Sequence, residues 1–154
     1  EISRSIEPLK SKLYYDFFED ITQFAIKKGI SVDSSDLKST TYFGLYLIPK
    51  EWNSKPYKIA IKFDTDHGVN YSGLYVAINF NENISDIEKK IIQEKFDKII
   101  PQFEINQSNI WRDVSSRDWG NNPEIWEDIA KGENGNIYKE IIANIGEIID
   151  IEKS

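Results

Sequence analysis

Tyr57-Lys58-Ile59-Ala60-Ile61-Lys62-Phe63 and Leu74-Tyr75-Val76-Ala77-Ile78-Asn79-Phe80 are the two stretches that decide the fold. Both alternate without a break. Successive side chains of a strand point to opposite faces, so Tyr57, Ile59, Ile61 and Phe63 share one side with Leu74, Val76, Ile78 and Phe80. Lys58, Ala60, Lys62, Tyr75, Ala77 and Asn79 face the other way. Upstream, Thr41–Ile48 reads as a third strand that Pro49 ends, and the connections Pro49–Pro56 and Asp64–Gly73 carry the prolines and glycines of hairpin loops. The three strands form an antiparallel meander.

Helical periodicity flanks the sheet. From Pro8 to Lys28, Leu9, Leu13, Phe17, Ile21 and Phe24 recur every three or four residues, with Gly29 placed as a C-terminal stop and Tyr14, Tyr15 and Phe18 widening the apolar surface. A second helix, Ser85–Ile100, opens on a Ser85-x-x-Glu88 capping pattern and is expected to bury Ile84, Ile87, Ile91, Ile92, Phe96, Ile99 and Ile100. Ile110–Val114 suggests a fourth strand. Asn122-Pro123-Glu124 starts a short helix through Ala130, and Asn136–Ile151 forms the last, with Ile137, Ile141, Ile145, Ile148 and Ile149 inward. The expected class is α+β: an antiparallel meander of three to four strands covered by the N-terminal and Ser85–Ile100 helices, with the C-terminal helices closing an edge or end.

At 154 residues and 40% hydrophobic content the chain fits a single domain, 1–154. It starts at Glu1 and contains no methionine, which leads to the expectation of a piece processed or excised from a larger parent. No apolar run approaches the roughly 20 residues of a membrane span, so no membrane partner is expected and the cytoplasm is the default location. Without cysteine there is no disulfide, thiolate nucleophile or zinc–cysteine site. The net charge of −7 disfavours a duplex-DNA groove while leaving room for a local basic patch. Abundant Ile, Lys, Glu and Asn resemble the composition of AT-rich bacterial genomes.

No cofactor or metal signature stands out. Asp64, Asp66 and His67 are legitimate metal ligands, but an EF-hand loop would need glycine sixth and glutamate twelfth, where Val69 and Tyr75 stand. A stand-alone metal-dependent hydrolase using Asp64 and Asp66 is the competing enzymatic reading, beside a polar hairpin tip. Asp36-Leu37-Lys38 and Glu88-Lys89-Lys90 match the acidic-x-lysine string of metal nucleases, without the strand such a site needs beneath it. Two patches could bind. On the second sheet face, Tyr46, Lys62 and Tyr75 surround a column of small residues, an arrangement that suits stacking and phosphate contact. The same Gly44, Ala60 and Ala77 column also suits close helix packing. Farther on, Trp111, Arg112, Asp113, Arg117, Asp118, Trp119 and Trp126 form either an aromatic–cationic contact patch or a loop pinned by its indoles. The candidate contact residues are Tyr46, Lys62, Tyr75, Arg112, Arg117 and Trp119, with no catalytic residue assigned.

The runs Tyr42-Phe43-Gly44, Ile59-Ala60-Ile61-Lys62-Phe63-Asp64 and Tyr71-Ser72-Gly73-Leu74-Tyr75-Val76-Ala77-Ile78, with Trp52 between the first two, resemble the C-terminal region of bacterial PD-(D/E)XK nuclease-like proteins. Arg117-Asp118-Trp119 and Glu124-Ile125-Trp126 look similar too. The resemblance implies a non-catalytic accessory domain, because the family's nuclease motif lies N-terminal to this region and has no match here. Its implied partner is the remainder of the parent or another protein, with nucleic acid through a local patch as the alternative. A purely structural interaction module is the third possibility.

Overall fold

The two alternating stretches are strands β3 (Tyr57–Asp64) and β4 (Gly73–Phe80), paired antiparallel with Ile59 opposite Ile78 and Ile61 opposite Val76. A computed structural model describes residues 2–38, 43–64, 73–99, 104–105, 109–114 and 122–154, and the side chains at 12–37, 43–63, 73–96, 110, 114 and 122–154. Four further strands complete the described sheet: β1 (Ser31–Asp33), β2 (Gly44–Ile48), β5 (Glu104–Ile105) and β6 (Asn109–Val114), in the order β1-β2-β3-β4-β6-β5. Every pairing among the described strands is antiparallel, so the α+β meander is observed. It exceeds the expected three to four strands because β1 and β5 are three and two residues long, too short to show alternation in sequence.

One row of the sheet, Val32, Leu47, Ile59, Ile78, Ile110 and Ile105, crosses all six strands in register. It belongs to the face that the helices cover. Helix α1 (Ile2–Lys27) packs Phe18 edge-on against Phe63, and α2 (Asp86–Ile99) sets Phe96 against Tyr57. Helix α4 (Asn136–Lys153) buries Ile141, Ile145, Ile148 and Ile151, and α3 (Pro123–Ala130) buries Ile125, Trp126 and Ile129. These side chains join those of the sheet in one continuous core. The C-terminal helix therefore lies on the face of the sheet, against β4 and β6, rather than closing an edge.

Local signals in the sequence set the helix ends. Gly29, at φ +73°, stops α1: the Ile30 N–H returns to Ala25 O at 2.9 Å and the Gly29 N–H to Ile26 O at 3.1 Å, leaving Ile30 buried. At the other end α1 starts at Ile2 rather than Pro8, so the helix carries a proline, which has no N–H to donate, within its first two turns. Ser85 Oγ accepts from the Glu88 N–H at 3.1 Å and donates to Glu88 Oε1 at 3.0 Å, which fixes the start of α2. Asn122 Oδ1 accepts from the Glu124 N–H and caps α3. The Asp128 carboxylate accepts from the Asn136 and Ile137 N–H groups, both at 2.8 Å, so the end of α3 caps α4.

The expected buried face of α2 needs correction. Ile92 and Phe96 are buried, but Ile87 and Ile91 are 76% and 61% exposed. The apolar positions of α2 wind around roughly half its circumference, and the sheet and α4 cover only part of that arc. Ile99 and Ile100 lie outside the described side chains.

Glu152 latches α4 to the sheet. Its carboxylate accepts the Tyr57 hydroxyl, lies 3.2 Å from Lys55 Nζ and 3.7 Å from Lys95 Nζ, and Lys95 also donates to the Glu152 carbonyl at 2.8 Å. Burial first and the Glu152 hydrogen bond second push the Tyr57 phenol above its ordinary value, so it remains a donor. Glu152→Ala is expected to cost about 2–3 kcal/mol, because it leaves a buried hydroxyl unpaired. Glu152→Gln, which keeps an acceptor, should cost less; urea unfolding midpoints check both. Equal losses would show that the hydrogen bond to Tyr57 does not hold the helix.

Candidate functional site

The sheet face turned away from the helices carries the Tyr46, Lys62 and Tyr75 set. Register pairs Tyr46 with Ala60 and Ala60 with Ala77, and in the next row Gly44 with Lys62, Lys62 with Tyr75 and Tyr75 with Asp113. Helices α1, α2 and α4 meet the sheet through Phe63, Tyr57 and Phe80 on the opposite face. Tyr46, Lys58, Tyr75 and Asn79 are half-buried around a floor of buried Gly44, Ala60 and Ala77.

Lys62 is the centre of this face rather than part of its rim. Its side chain is 6% exposed, and its ammonium donates to Asp36 Oδ2 at 2.6 Å and to the Tyr46 hydroxyl at 2.5 Å. Asp36 arrives from the short 3-10 turn Ser35–Lys38, which leans over the β2 edge. The hydrogen bond from Lys62 and that residue's charge hold the Asp36 carboxyl below the usual carboxylate range, against a smaller opposing effect of burial. Two bonds from Ser35, from its hydroxyl at 2.7 Å and its N–H at 2.9 Å, lower Asp33 in the same way. The second lysine, Lys58, stands 3.7 Å from the Tyr46 ring centroid, with Lys62 at 4.0 Å. Both cations and both carboxylates are therefore engaged within the face itself.

This network bears on the acidic-x-lysine reading of Asp36-Leu37-Lys38. Asp36 binds an ammonium, and no cluster of three or more metal-ligating side chains occurs among the described residues. Of the other candidate residues, Arg112 lies in β6 opposite Val76, and its side chain is outside the described set. Arg117, Trp119, Asp66 and His67 lie outside the described residues, as does the side chain of Asp64. Trp126 is buried in α3, while Trp119 and the side chain of Trp111 lie outside the described set. Sequence reasoning missed the Lys62–Asp36 pairing because its members stand 26 positions apart and no local motif joins them.

Tyr46, Lys58 and Tyr75 offer contact surface, but among the described residues the face holds no nucleophile paired with a base. No family model, curated protein or solved structure matches the chain. No helix among the described residues is long and apolar enough to cross a membrane.

Proposed function

We propose that this chain is a non-catalytic recognition domain of a cytoplasmic bacterial PD-(D/E)XK nuclease-like protein, and that it docks a partner protein domain on the Tyr46–Lys58–Tyr75 sheet face. The observation that carries this reading is the division of the sheet. The described helices make their contacts on one side, and the other presents half-buried tyrosines and a lysine around a floor of small residues. An aromatic surface whose buried Lys62 is already paired with Asp36 suits a protein surface. Phosphate would need cations to spare, whereas Lys62 is held by Asp36 and the chain carries a net charge of −7.

The test is photo-crosslinking in the host cell with p-benzoylphenylalanine in place of Tyr75. The expected result is one discrete protein adduct that the same substitution at exposed Glu147 does not give and that Lys58→Glu abolishes. Adducts with nucleic acid, or none beyond those of the Glu147 control, would overturn the reading.

A further inference from the structure

The other notable surface lies at the β1 edge of the sheet, away from the tyrosine–lysine face. In an antiparallel ladder the N–H and C=O of a residue point to the same side, and the side changes with each residue. The Phe63 N–H donates to Phe43 O at 2.9 Å, so Phe43, Leu45 and Leu47 turn their backbone groups toward β3, and Tyr46 and Ile48 turn theirs toward β1. Asp33 and Ser31 pair with those two residues and face inward. Val32, between them, directs both its N–H and its C=O out of the sheet, where β1 is the last strand. Its outward neighbours are half-used: the Ile30 N–H goes to Ala25 O at 2.9 Å, and Ser34 O accepts from the Leu37 N–H at 3.0 Å.

Beside this edge runs a groove of about 740 Å³. One wall is the α1 stripe Tyr15, Glu19, Thr22 and Ile26, spaced for a single helix face, and the other holds Val32 and Leu37. Tyr15 is 38% exposed and Ile26 57%, two of the four large apolar side chains exposed among the described residues. The other two, Ile87 and Ile91, sit on α2. The Thr22 hydroxyl is turned back onto Phe18 O at 2.8 Å, so it adds its methyl group to the wall. A strand edge left unpaired by the described strands, beside a helix wall that carries Tyr15 and Ile26, is the geometry that receives an extended peptide as an added strand.

Charge selects the peptide. Among the described residues the groove is lined by two carboxylates, Glu19 and Asp16, the latter bridged by Lys12 at 2.8 Å, and by no lysine or arginine. On the other side of the edge, Asp33 shares the sheet face of Tyr46 and is held ionised by Ser35. An added strand sends alternate side chains to these two sides. We propose that the β1–α1 groove binds an extended segment of a partner protein in which apolar side chains, entering beside Val32 and Ile26, alternate with basic ones that meet Asp33.

Panning displayed random heptapeptides on the full chain, then titrating the enriched synthetic peptide by fluorescence polarisation, tests this. The expected enrichment is an apolar–basic alternation. Ile26→Arg should weaken binding of that peptide at least about tenfold. Val32→Pro, which removes the outward N–H, should weaken it too; if that variant does not fold, Ile26→Arg at an exposed helix position decides. Ile91→Arg and Tyr75→Ala should leave binding unchanged, so this groove and the sheet face fail separately. Absence of enrichment, enrichment that survives Ile26→Arg, or a concentration-dependent dimer of the chain that Ile26→Arg dissolves would overturn the proposal, the last because a second copy then fills the groove.

Discussion

Gly44→Ala is expected to cost at least about 3 kcal/mol of folding stability, a large share of the 5–15 kcal/mol typical of a domain. A Cβ built on Gly44 would stand 2.1 Å from Ile61 O, 2.8 Å from Lys62 Cα and 3.0 Å from Ile61 C. All three are backbone atoms of the central strand, so no side chain can rotate out of the way. Relief would require β2 to separate from β3 at the Gly44–Lys62 pair, next to the 2.9 Å bond from the Phe63 N–H to Phe43 O. That movement would also disturb the ring contacts of Phe43 with Phe63 and Tyr14, at 4.9 and 4.8 Å between centroids, and through them the seat of α1. Chemical denaturation of the variant measures the loss. A change below about 1 kcal/mol would show that the two strands do not approach so closely. Ala60→Gly on the same face is the contrast, since it removes a methyl group without a clash and should cost only about 1 kcal/mol.

The role of Gly44 shows where sequence reasoning reached and where it stopped. Alternation placed Gly44 in a column of small residues with Ala60 and Ala77, open to either helix packing or ligand contact. The close neighbour is instead the adjacent strand, a relation that alternation along one strand does not encode. What was legible was local: the faces of β3 and β4, the Gly29 stop, the Ser85–Glu88 cap and the Asn122 start of α3 all depend on residues within a few positions of one another. The pairing of Lys62 with Asp36, the edge strand β1 and the exposure of Ile87 and Ile91 depend on what each element meets in space. The covered face of the sheet was undecided for the same reason. Both faces carry aromatic residues, and only the seating of Phe18, Phe96 and Glu152 puts the helices on the side of Tyr57 and Phe63.

Lys62→Glu should be as damaging as Gly44→Ala, through charge rather than sterics, with a loss of about 3–5 kcal/mol near neutral pH. The new carboxylate would be buried in the middle of the sheet beside Asp36, which Lys62 now holds ionised. Lys62→Met separates the two contributions of the wild-type side chain. It keeps the stem and removes the ammonium, while Asp36, 40% exposed, can be rehydrated, so its cost should stay within about 1 kcal/mol. Acid should narrow the gap between wild type and Lys62→Glu from both sides. The folded Asp36 value lies below its ordinary 3.8, so its stabilising contribution is fully present above that value and is lost as pH falls through the lower folded one. In Lys62→Glu two neighbouring carboxylates disfavour joint ionisation, so one takes up a proton at a higher pH than either would alone and the variant recovers. Urea unfolding from pH 7 down to about pH 2 reads both effects, because the paired carboxyl group of the variant takes up its proton at a higher pH than the wild-type Asp36, whose contribution is lost only below 3.8. A gap independent of pH, or equal losses for Lys62→Glu and Lys62→Met, would show that Lys62 serves as packing alone and that its bonds to Asp36 and Tyr46 do not organise this face of the sheet.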